Sequence, residues 1–360
     1  MRLRVALDYR PALLSGAGIG RATRELARSL APHDDLDVQL FAHSVARARI
    51  ATSPPPAATL HRLPIPGRSL PVLARLGLGA DRLAGRPRVF HWLDYVMAPL
   101  SHAKAIVTVH DLAFARDARW HGPAATTLLE RTRAAATAAT AVVVPSATTA
   151  ADLQRFVPGI AAPRVIPFGV DHVPAATPPP PLAGDYVLCV GTIEPRKNHL
   201  TLLQAMRRLP APRPPLVVIG RVGWQCDEIV AALQAAAATG EVRWLPDLDD
   251  TALWSWLGHA TVLAFPSWWE GFGFPPLEAM QLGVPVVAHD CAPMRELGED
   301  AFVFADAGSA EDLAQALDRA LHDQATRRRA TANGRQRAAT FRWADCAKAH
   351  AALYHEVAAC

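Results

Sequence analysis

The sequence predicts an α/β protein made of two doubly wound domains with parallel sheets. Short, nearly continuous apolar runs alternate with helical patterns along most of the chain, which is typical of strands buried on both faces and covered by helices. The chain has 360 residues, enough for two domains of ordinary size. Hydrophobic residues make up 51% and charged residues 19%, so each domain can bury a core and disorder is not indicated.

The first half of the chain contains five apolar runs that predict strands, at Leu3–Leu7, Val38–Phe41, Val89–Trp92, Ile106–Val109 and Ala141–Val144. Residues 20–31 show helical spacing, with Ile19, Leu26 and Leu30 on the buried side. These elements define an N-terminal Rossmann-like domain over residues 1–172.

A proline-rich segment separates this half from the next. The four prolines at 178–181 cannot continue a sheet or a helix, so residues 173–184 are predicted to form a linker. A second domain, residues 185–342, follows with strands predicted at Tyr186–Val190, Leu216–Ile219, Val242–Leu245, Thr261–Phe265 and Pro285–Ala288. The tail from Ala310 has helical patterning to the end.

Charge is distributed unevenly between the halves. Residues 1–170 carry 21 Lys and Arg against 11 Asp and Glu, a net +10, whereas the remainder carries a net −6. A basic first half fits an anionic partner, such as a phospholipid surface or a lipid diphosphate, as well as it fits an ordinary solvated surface. Residues 62–88 place six arginines among leucines, which fits a membrane-surface segment or, somewhat better, a helix with solvated arginines. A nucleic-acid partner is not expected.

Location is predicted from three features. The five cysteines have no metal-ligand spacing, and their odd number fits a reducing compartment. No apolar run approaches the ~20 residues needed to cross a bilayer, and the apolar stretch near the N-terminus is too short for a signal peptide. We therefore expect a cytoplasmic protein, with a peripheral position on the inner face of the cytoplasmic membrane compatible with the basic first half.

The most informative segment is 264–283, in which Glu270 and Glu278 flank a Gly-Phe-Gly turn and two prolines. The prolines fit the start of a helix, which puts Glu270 in the preceding loop and Glu278 in the first turns. Gly271 and Gly273 let the backbone pass close to a ligand and leave N–H groups available. Such a surface suits a sugar nucleotide, which needs acceptors for hydroxyls and donors for phosphate oxygens. The simpler interpretation is a helix start at which Glu278 serves as a cap.

This segment resembles the signature of retaining glycosyltransferases of family 4, in which two Glu are separated by seven residues. The match covers both Glu, the Gly271-Phe272-Gly273 turn and the trailing Glu-Ala-Met…Gly. The resemblance implies the GT-B fold, in which two Rossmann-like domains face each other across a cleft. It implies acceptor binding by the first domain, nucleotide-sugar binding by the second, and a C-terminal helix, about residues 343–360, that packs back onto the first. Glu270 would hold the hexose hydroxyls and Glu278 the ribose hydroxyls.

A second motif, Glu-Pro-Arg-Lys-Asn at 194–198, follows the first strand of the second domain. Arg196 and Lys197 at a strand-to-helix turn suit an anion, and Asn198 is a candidate N-cap; a solvated charge pair is the alternative. The segment is similar to one in family 4, where the two cations neutralise the donor diphosphate. Arg221 is a further candidate source of positive charge.

Two shorter motifs lie in the first half. Residues 15–20, Ser-Gly-Ala-Gly-Ile-Gly, open a helix after the first strand, where backbone N–H groups near Gly16 and Gly18 can hold phosphate. An ordinary glycine turn is the alternative. The segment resembles the family's Gly-Gly-Ile-Gly-Arg loop near the donor diphosphate, with Ala17 in place of the second glycine. His110 ends a strand in a His-Asp-Leu sequence similar to the family's, whose His lies at the donor sugar; a structural histidine is the alternative. For Asp111 the functional and structural interpretations are equally supported.

Asp247-Leu-Asp249 formally matches the D-x-D pattern of metal-dependent glycosyltransferases, but we interpret it otherwise. It lies in a polar loop before a helix, where Asp249 is a natural N-cap. Arg196 and Lys197 would also make a metal redundant. No metal and no other cofactor is expected, because the nucleotide sugar is a co-substrate.

These motifs together predict a retaining, metal-independent hexosyltransferase with Glu270, His110, Lys197 and Arg196 as catalytic residues. The motifs look most like those of bacterial mannosyl- and rhamnosyltransferases of surface polysaccharide and lipopolysaccharide synthesis. The resemblance therefore favours GDP-mannose as donor, with rhamnose and glucose donors next, and a saccharide or lipid-linked saccharide as acceptor.

The alternatives from another class are a sugar-nucleotide epimerase and a non-catalytic sugar-nucleotide-binding subunit. A pyridoxal-phosphate phosphorylase and an NAD dehydrogenase fit poorly. No lysine has a convincing setting for the first, and the opening glycine loop has the wrong spacing for the second.

Overall fold

The computed structural model describes residues 2–45 and 52–360. These residues form two compact units, each built around its own parallel sheet, which confirms the predicted fold class. The first unit comprises the chain up to Ala115, Thr126–Gly169 and Arg342–Cys360, and the second comprises Arg116–Ala125 and Val170–Phe341.

The sheet of the first unit has seven strands, all paired in parallel. They are β1 (Leu3–Asp8), β2 (Leu36–His43), β3 (Thr59–Leu63), β4 (Val89–Trp92), β5 (Lys104–Thr108), β6 (Ala141–Val144) and β7 (Arg164–Val165). The spatial order is β3-β2-β1-β4-β5-β6-β7, so the chain reverses direction across the sheet between β1 and β4. In such sheets, ligands bind beyond the carboxyl ends of the strands at that reversal point.

Seven helices accompany this sheet in the chain order of the first half. They are α1 (Arg10–Leu14), α2 (Gly18–Leu30), α3 (Leu70–Arg75), α4 (Ala80–Leu83), α5 (Ala113–Arg116), α6 (Ala124–Ala138) and α7 (Ala147–Phe156). On α2, Leu26 and Leu30 are buried as predicted, whereas Ile19 is only half-buried. The helix begins two residues earlier than expected, at Gly18, because Ala17 takes the extended conformation of an N-cap residue.

The sheet of the second unit has six parallel strands in the order β10-β9-β8-β11-β12-β13. The strands are β8 (Val187–Val190), β9 (Leu216–Ile219), β10 (Val242–Leu245), β11 (Val262–Phe265), β12 (Val286–His289) and β13 (Phe302–Ala305). Its helices are α8 (His199–Arg208), α9 (Asp227–Ala238), α10 (Asp250–Gly258), α11 (Phe274–Leu282), α12 (Ala292–Gly298), α13 (Ala310–His322) and α14 (Gln324–Ala338). The core between sheet and helices includes Val187, Leu216 and Val262 from the strands and Leu202 and Leu317 from the helices.

The C-terminal helix α15 (Trp343–Ala359) belongs to the first unit. Its Tyr354 hydroxyl is fully buried and lies 2.8 Å from Nδ1 of His91, whose Nε2 lies 2.8 Å from Oγ1 of Thr108. Arg88 also donates to the carbonyl of Ala358. A buried polar chain therefore ties this last helix to β4 and β5, in addition to its apolar contacts.

Two segments depart from the domain boundaries that the sequence predicts. Residues 170–184, which include the predicted linker 173–184, belong to the second unit. Residues 116–125 fall inside the expected first domain, yet they belong to the second unit. The guanidinium of Arg116 lies 3.9 Å from the ring centre of Trp269, and Trp224 Nε1 donates to the carbonyl of Trp120. The sequence lacks a local signal for this because both contacts join residues about a hundred positions or more apart.

All five cysteines are free. Within the ranges that the structure describes, no helix is both long enough and apolar enough to cross a bilayer.

Candidate functional site

Glu270 lies at the centre of a buried ion-pair network in the second unit, in the loop between β11 and α11 where it is predicted. Its Oε2 lies 2.7 Å from Nη1 of Arg196 and its Oε1 lies 2.5 Å from Nζ of Lys197. Burial opposes ionisation of the carboxyl, but the two cations outweigh that effect and lower the pKa of Glu270 to about 2. The carboxylate is therefore ionised throughout the neutral range.

Arg196 also holds two loops together. Its guanidinium donates to the carbonyl of Trp269 at 2.5 Å and to Oε1 of Glu194 at 2.6 Å. The backbone N–H of Trp268 donates in turn to the carbonyl of Arg196. The loops after β8 and β11 are thus locked to each other, and Arg196 shares its charge between two carboxylates. Together, the two carboxylates and the two cations have a formal charge of zero.

The Gly-Phe-Gly turn after Glu270 is buried. The ring of Phe272 packs edge-on against the rings of Phe274 and Phe341, with centre-to-centre distances of 5.3 and 5.8 Å respectively. This ring is therefore part of the buried core that supports the turn. Gly273 is the N-cap of α11 with φ of +104°, a conformation that favours glycine. Proline stands in the first turn of α11, as predicted from the sequence.

Glu278 lies in the second turn of α11 and is completely buried. Its Oε1 is 3.3 Å from Nε2 of His172, whose ring is in turn close to Trp254 and Phe274. The structure therefore places the two signature carboxylates in different settings: Glu270 contacts cations, and Glu278 contacts a histidine among aromatic rings.

Asn198 occupies the predicted N-cap position of α8, but its side chain does not cap the helix. The residue has φ of +56°, and its Nδ2 donates to the carbonyl of Ala307 at 2.7 Å. The expectation of side-chain capping was wrong because this left-handed backbone directs the amide toward a loop a hundred residues away.

The aspartates of the D-x-D sequence have separate partners. Asp249 caps α10 by accepting from the backbone N–H of Ala252 at 2.8 Å, as predicted. Asp247 Oδ1 lies 2.5 Å from Nη2 of Arg221. The arginine that was a candidate source of extra positive charge is therefore paired with a carboxylate. In the described parts of the chain, no three His, Cys, Asp or Glu side chains cluster as metal ligands would.

The glycine loop lies in the first unit, between α1 and α2. Gly16 is exposed and Gly18 half-buried, and no side chain caps the start of α2. Buried Arg24 stabilises the loop, because its guanidinium donates hydrogen bonds to the carbonyls of Ala12 and Ser15. A Cβ on Gly20 would lie 1.9 Å from the Ser15 carbonyl oxygen, so a side chain at that position is incompatible with this loop.

His110 follows β5 at the carboxyl edge of the first sheet, as predicted. Its Nε2 lies 2.9 Å from the carbonyl oxygen of Leu93, so Nε2 carries the proton and Nδ1 keeps its lone pair. Burial lowers the pKa of His110, which favours the neutral ring. Its ring stacks near Phe168. Asp111 accepts from the N–H of Ala113 in a local turn, which supports its structural interpretation.

The predicted site residues thus fall into two sets. Gly16, Gly18 and His110 belong to the first unit, and the remainder, from Arg196 to Glu278, belong to the second.

Three residues near these sets were missed from the sequence: Glu194, His172 and Arg116. Glu194 lies inside the Glu-Pro-Arg-Lys-Asn motif, two residues before Arg196, so the sequence could have indicated that the two side chains pair. His172 and Arg116 carried no local signal.

Two family models match the chain, one over each half. The model described as Glycosyltransferase Family 4 matches residues 16–173, and the model described as Glycosyl transferases group 1 matches residues 178–337. The second match contains the ion-pair network around Glu270, and the first contains His110 and the glycine loop.

Curated relatives include two mannosyltransferases of Escherichia coli. O-antigen chain mannosyltransferase B is 37% identical over 164 residues, which span 45% of this chain and 43% of that protein. The serotype-specific mannosyltransferase WbdA is 30% identical over 195 residues, 51% of this chain and 23% of that protein. The chain therefore spans less than half the length of these relatives.

Solved structures match over nearly the whole chain. Sucrose-phosphate synthase from Thermosynechococcus elongatus superposes with a TM-score of 0.80 at 22% identity, covering 99% of this chain and all of that one. Anabaena HepE, solved in complex with UDP and glucose, superposes with a TM-score of 0.76 at 18% identity over the same shares. These similarities show a common fold, the GT-B fold. The chain therefore carries a glycosyltransferase family 4 domain in its first half and a glycosyl transferase group 1 domain in its second half.

Proposed function

We propose that the protein is a retaining glycosyltransferase that moves a hexose from a nucleoside-diphosphate sugar to a saccharide or lipid-linked saccharide acceptor in surface polysaccharide synthesis. The observation that carries this proposal is the buried carboxylate of Glu270, held by Arg196 and Lys197 at 2.7 and 2.5 Å. A fully ionised, rigidly held carboxylate can accept hydrogen bonds from hexose hydroxyls and so orient the anomeric carbon. The mannosyltransferase relatives support the same reaction class.

The proposed roles divide the donor among several groups. Glu270 holds the hexose hydroxyls, and neutral His110 is a second proposed sugar ligand. Arg196 and Lys197 stabilise the charge that develops on the leaving diphosphate. Since Arg196 already spans two carboxylates, Lys197 is the group with more capacity to meet phosphate oxygens.

Glu278 is the proposed ribose ligand. Because it is completely buried beside His172, a ribose hydroxyl must share the carboxylate with that histidine or displace it. Gly16, Gly18, Gly271 and Gly273 complete the proposed donor site through their backbone N–H groups. The buried ring of Phe272 supports the turn.

The proposed reaction proceeds on one face of the sugar. The bond between the anomeric carbon and the diphosphate oxygen breaks as the bond to the acceptor oxygen forms. The acceptor hydroxyl loses its proton to the departing phosphate oxygen, so no residue acts as a covalent nucleophile.

The roles are tested by Glu270→Ala and Lys197→Ala. The first should abolish most transfer, because the hexose loses its orienting partner, and the second should weaken donor binding. Glu241→Ala, which removes a half-exposed carboxylate paired with Arg207, is the matched control. Near-normal transfer by both site variants would contradict the assignment.

Metal independence is a further part of the proposal. Two cations beside the leaving group can replace a divalent ion, so transfer should survive incubation with EDTA. A strict requirement for added Mg²⁺ or Mn²⁺ would contradict metal independence and would favour Asp247 and Asp249 as metal ligands.

The favoured donor is GDP-mannose, because the two Escherichia coli relatives are mannosyltransferases. Rhamnosyl and glucosyl donors are the next candidates. A thermal-shift panel of GDP, UDP and dTDP with their sugars tests the choice, and stabilisation by UDP or dTDP sugars alone would contradict a GDP donor. Incubating the stabilising donor without acceptor separates transfer from epimerisation, since an epimerase would release an isomeric donor.

We also propose contact with the anionic surface of the cytoplasmic membrane, where a lipid-linked acceptor would lie. Around α3 the first unit exposes three large apolar side chains, Val72, Leu76 and Leu78, and Leu76 is 73% exposed. Arg68 precedes them in the chain, and Arg75 lies between Val72 and Leu76. Exposed apolar groups next to basic groups suit the interface of an anionic bilayer.

This membrane contact is tested by co-sedimentation with phosphatidylcholine vesicles that contain or lack phosphatidylglycerol. The wild type should sediment with the anionic vesicles, and Leu76→Asp should release it. Val222→Asp, at an exposed apolar position of the second unit, is the matched control. Equal sedimentation of wild type and Leu76→Asp would contradict the proposal.

A further inference from the structure

A cluster of three charged residues at the carboxyl edge of the first sheet has no role in the donor site. Asp8 ends β1, Arg10 begins α1 and Asp94 follows β4 by two residues. Nη2 of Arg10 lies 3.5 Å from Oδ2 of Asp8 and 3.4 Å from Oδ2 of Asp94. The Arg10 backbone N–H donates to Asp8 Oδ1, and the Tyr95 N–H donates to Asp94 Oδ1.

The cluster lies at the reversal point of the sheet. β1 is paired with β2 on one side and with β4 on the other, and the chain runs outward from β1 in both directions. Side chains that follow β1 and β4 therefore line the crevice in which such sheets bind ligands.

The same crevice adjoins His110. The carbonyl that accepts from His110 Nε2 belongs to Leu93, the residue before Asp94. The negative charge of Asp94 also bears on the protonation of His110 and of Asp8. Asp94 therefore contacts Arg10 and directly follows the residue that contacts His110.

The energetics argue against a purely structural role. Asp8 is completely buried, and burial raises its pKa to about 6 despite the neighbouring Arg10 charge. A buried ion pair seldom stabilises a fold more than well-packed apolar side chains of similar volume would. The contacts of Arg10 with both carboxylates, 3.4 and 3.5 Å, are also longer than the ~2.8 Å of a well-formed charge-assisted hydrogen bond. Arg10 and Asp94 keep 17% and 21% of their side-chain surface exposed.

We propose that Arg10 and Asp94 form a saccharide-hydroxyl subsite that receives the acceptor, and that Asp8 positions Arg10. A guanidinium donor next to a carboxylate acceptor matches neighbouring hydroxyls of a sugar, each of which donates and accepts. Hydroxyls inserted between the two side chains would replace the long ion-pair contact with shorter hydrogen bonds. The inference rests on the proposed function, since it names the acceptor side of that reaction.

The test separates acceptor binding from donor binding. The acceptor probes are octyl α-D-mannoside, octyl α-D-glucoside and octyl α-L-rhamnoside. Asp94→Asn and Arg10→Gln should each raise the acceptor KM or Kd by about tenfold or more, the usual effect of losing a charged hydrogen bond. Donor KM and donor hydrolysis without acceptor should stay within about twofold of wild type.

Two further variants guard against a merely structural effect. Asp8→Asn should raise the acceptor KM with little change in kcat, as expected of a residue that acts through Arg10. Arg4, which lies on the same strand as Asp8, forms an exposed ion pair with Asp37 of β2. Arg4→Gln breaks that pair and should leave acceptor KM unchanged.

An unchanged acceptor KM in Asp94→Asn and Arg10→Gln would overturn the inference, as would an equal rise in donor KM. Failure of the wild type to bind any of the three probes would also overturn it. Failure of the proposed function has a different signature, since the wild type would then neither bind nor hydrolyse any nucleotide sugar.

Discussion

Replacing Glu270 by glutamine removes one negative charge from the buried network and keeps the shape of the side chain. Burial is the largest single effect and would raise the pKa of this carboxyl. The charges and hydrogen bonds of Arg196 and Lys197 together outweigh burial and lower the pKa from 4.5 to about 2. A difference of about 2.5 units at ~1.36 kcal/mol per unit gives about 3 kcal/mol of stabilisation of the ionised form. We therefore expect Glu270→Gln to lower the free energy of unfolding of the second unit by roughly that amount at pH 7.

The sign of the pH dependence follows from the depressed pKa. A carboxyl that is more acidic in the folded protein contributes its full stabilisation above its ordinary pKa of about 4.5. That contribution is lost as the pH falls toward about 2. The difference between wild type and Glu270→Gln should therefore stay constant from pH 8 to pH 5 and begin to shrink below about 4.5.

Urea unfolding followed by tryptophan fluorescence measures this difference. Seven of the nine tryptophans lie in the second unit, so the signal reports mainly on the unit that contains Glu270. Glu241→Gln, which weakens an exposed pair with Arg207, should change the free energy of unfolding by about 0.5 kcal/mol or less. Equal stability of wild type and Glu270→Gln at pH 7, or a difference that already varies between pH 8 and pH 6, would refute the reasoning.

Three smaller perturbations test the scaffold, each by thermal and urea unfolding. Asp249→Ala removes the cap of α10 and should cost about 1 kcal/mol; no loss would argue that water replaces the cap. Tyr354→Phe leaves Nδ1 of buried His91 without its hydroxyl partner and should cost about 1–3 kcal/mol, and a neutral effect would mean that this hydroxyl contributes nothing to the docking of the C-terminal helix. Gly20→Ala places a methyl group 1.9 Å from the Ser15 carbonyl oxygen and should lower the free energy of unfolding by about 1–3 kcal/mol. An unchanged unfolding midpoint would show that the glycine loop can shift away from the methyl group without loss of stability.

The strands that the sequence did not reveal share one physical property. β3, β7 and β13 all lie at an edge of a sheet, whereas nine of the ten predicted strands lie inside one. An interior strand is covered on both faces and is mostly apolar, so it leaves a nearly continuous apolar run in the sequence. β3 is half-exposed and β7 consists of two exposed residues, so neither produces such a run. β13 is apolar, but its four residues stand alone between a short helix and a loop.

The candidate site divides in the same way. The sequence determined which chemical groups are present, because spacing, prolines and glycines constrain a loop and the helix that follows it. Glu270 before α11, Glu278 within it and Asp249 as a cap are all local consequences of this kind.

Which groups meet was decided only by the tertiary structure. Glu270 pairs with Lys197, 73 residues away, and with the adjacent Arg196. Glu278 contacts His172 across 106 residues, and the side chain of Asn198 donates to the carbonyl of Ala307. Chain spacing carries no information about such contacts, since they depend on the order in which the strands are laid side by side. The Asp8–Arg10–Asp94 cluster has the same origin, because only the placement of β4 beside β1 brings its members together.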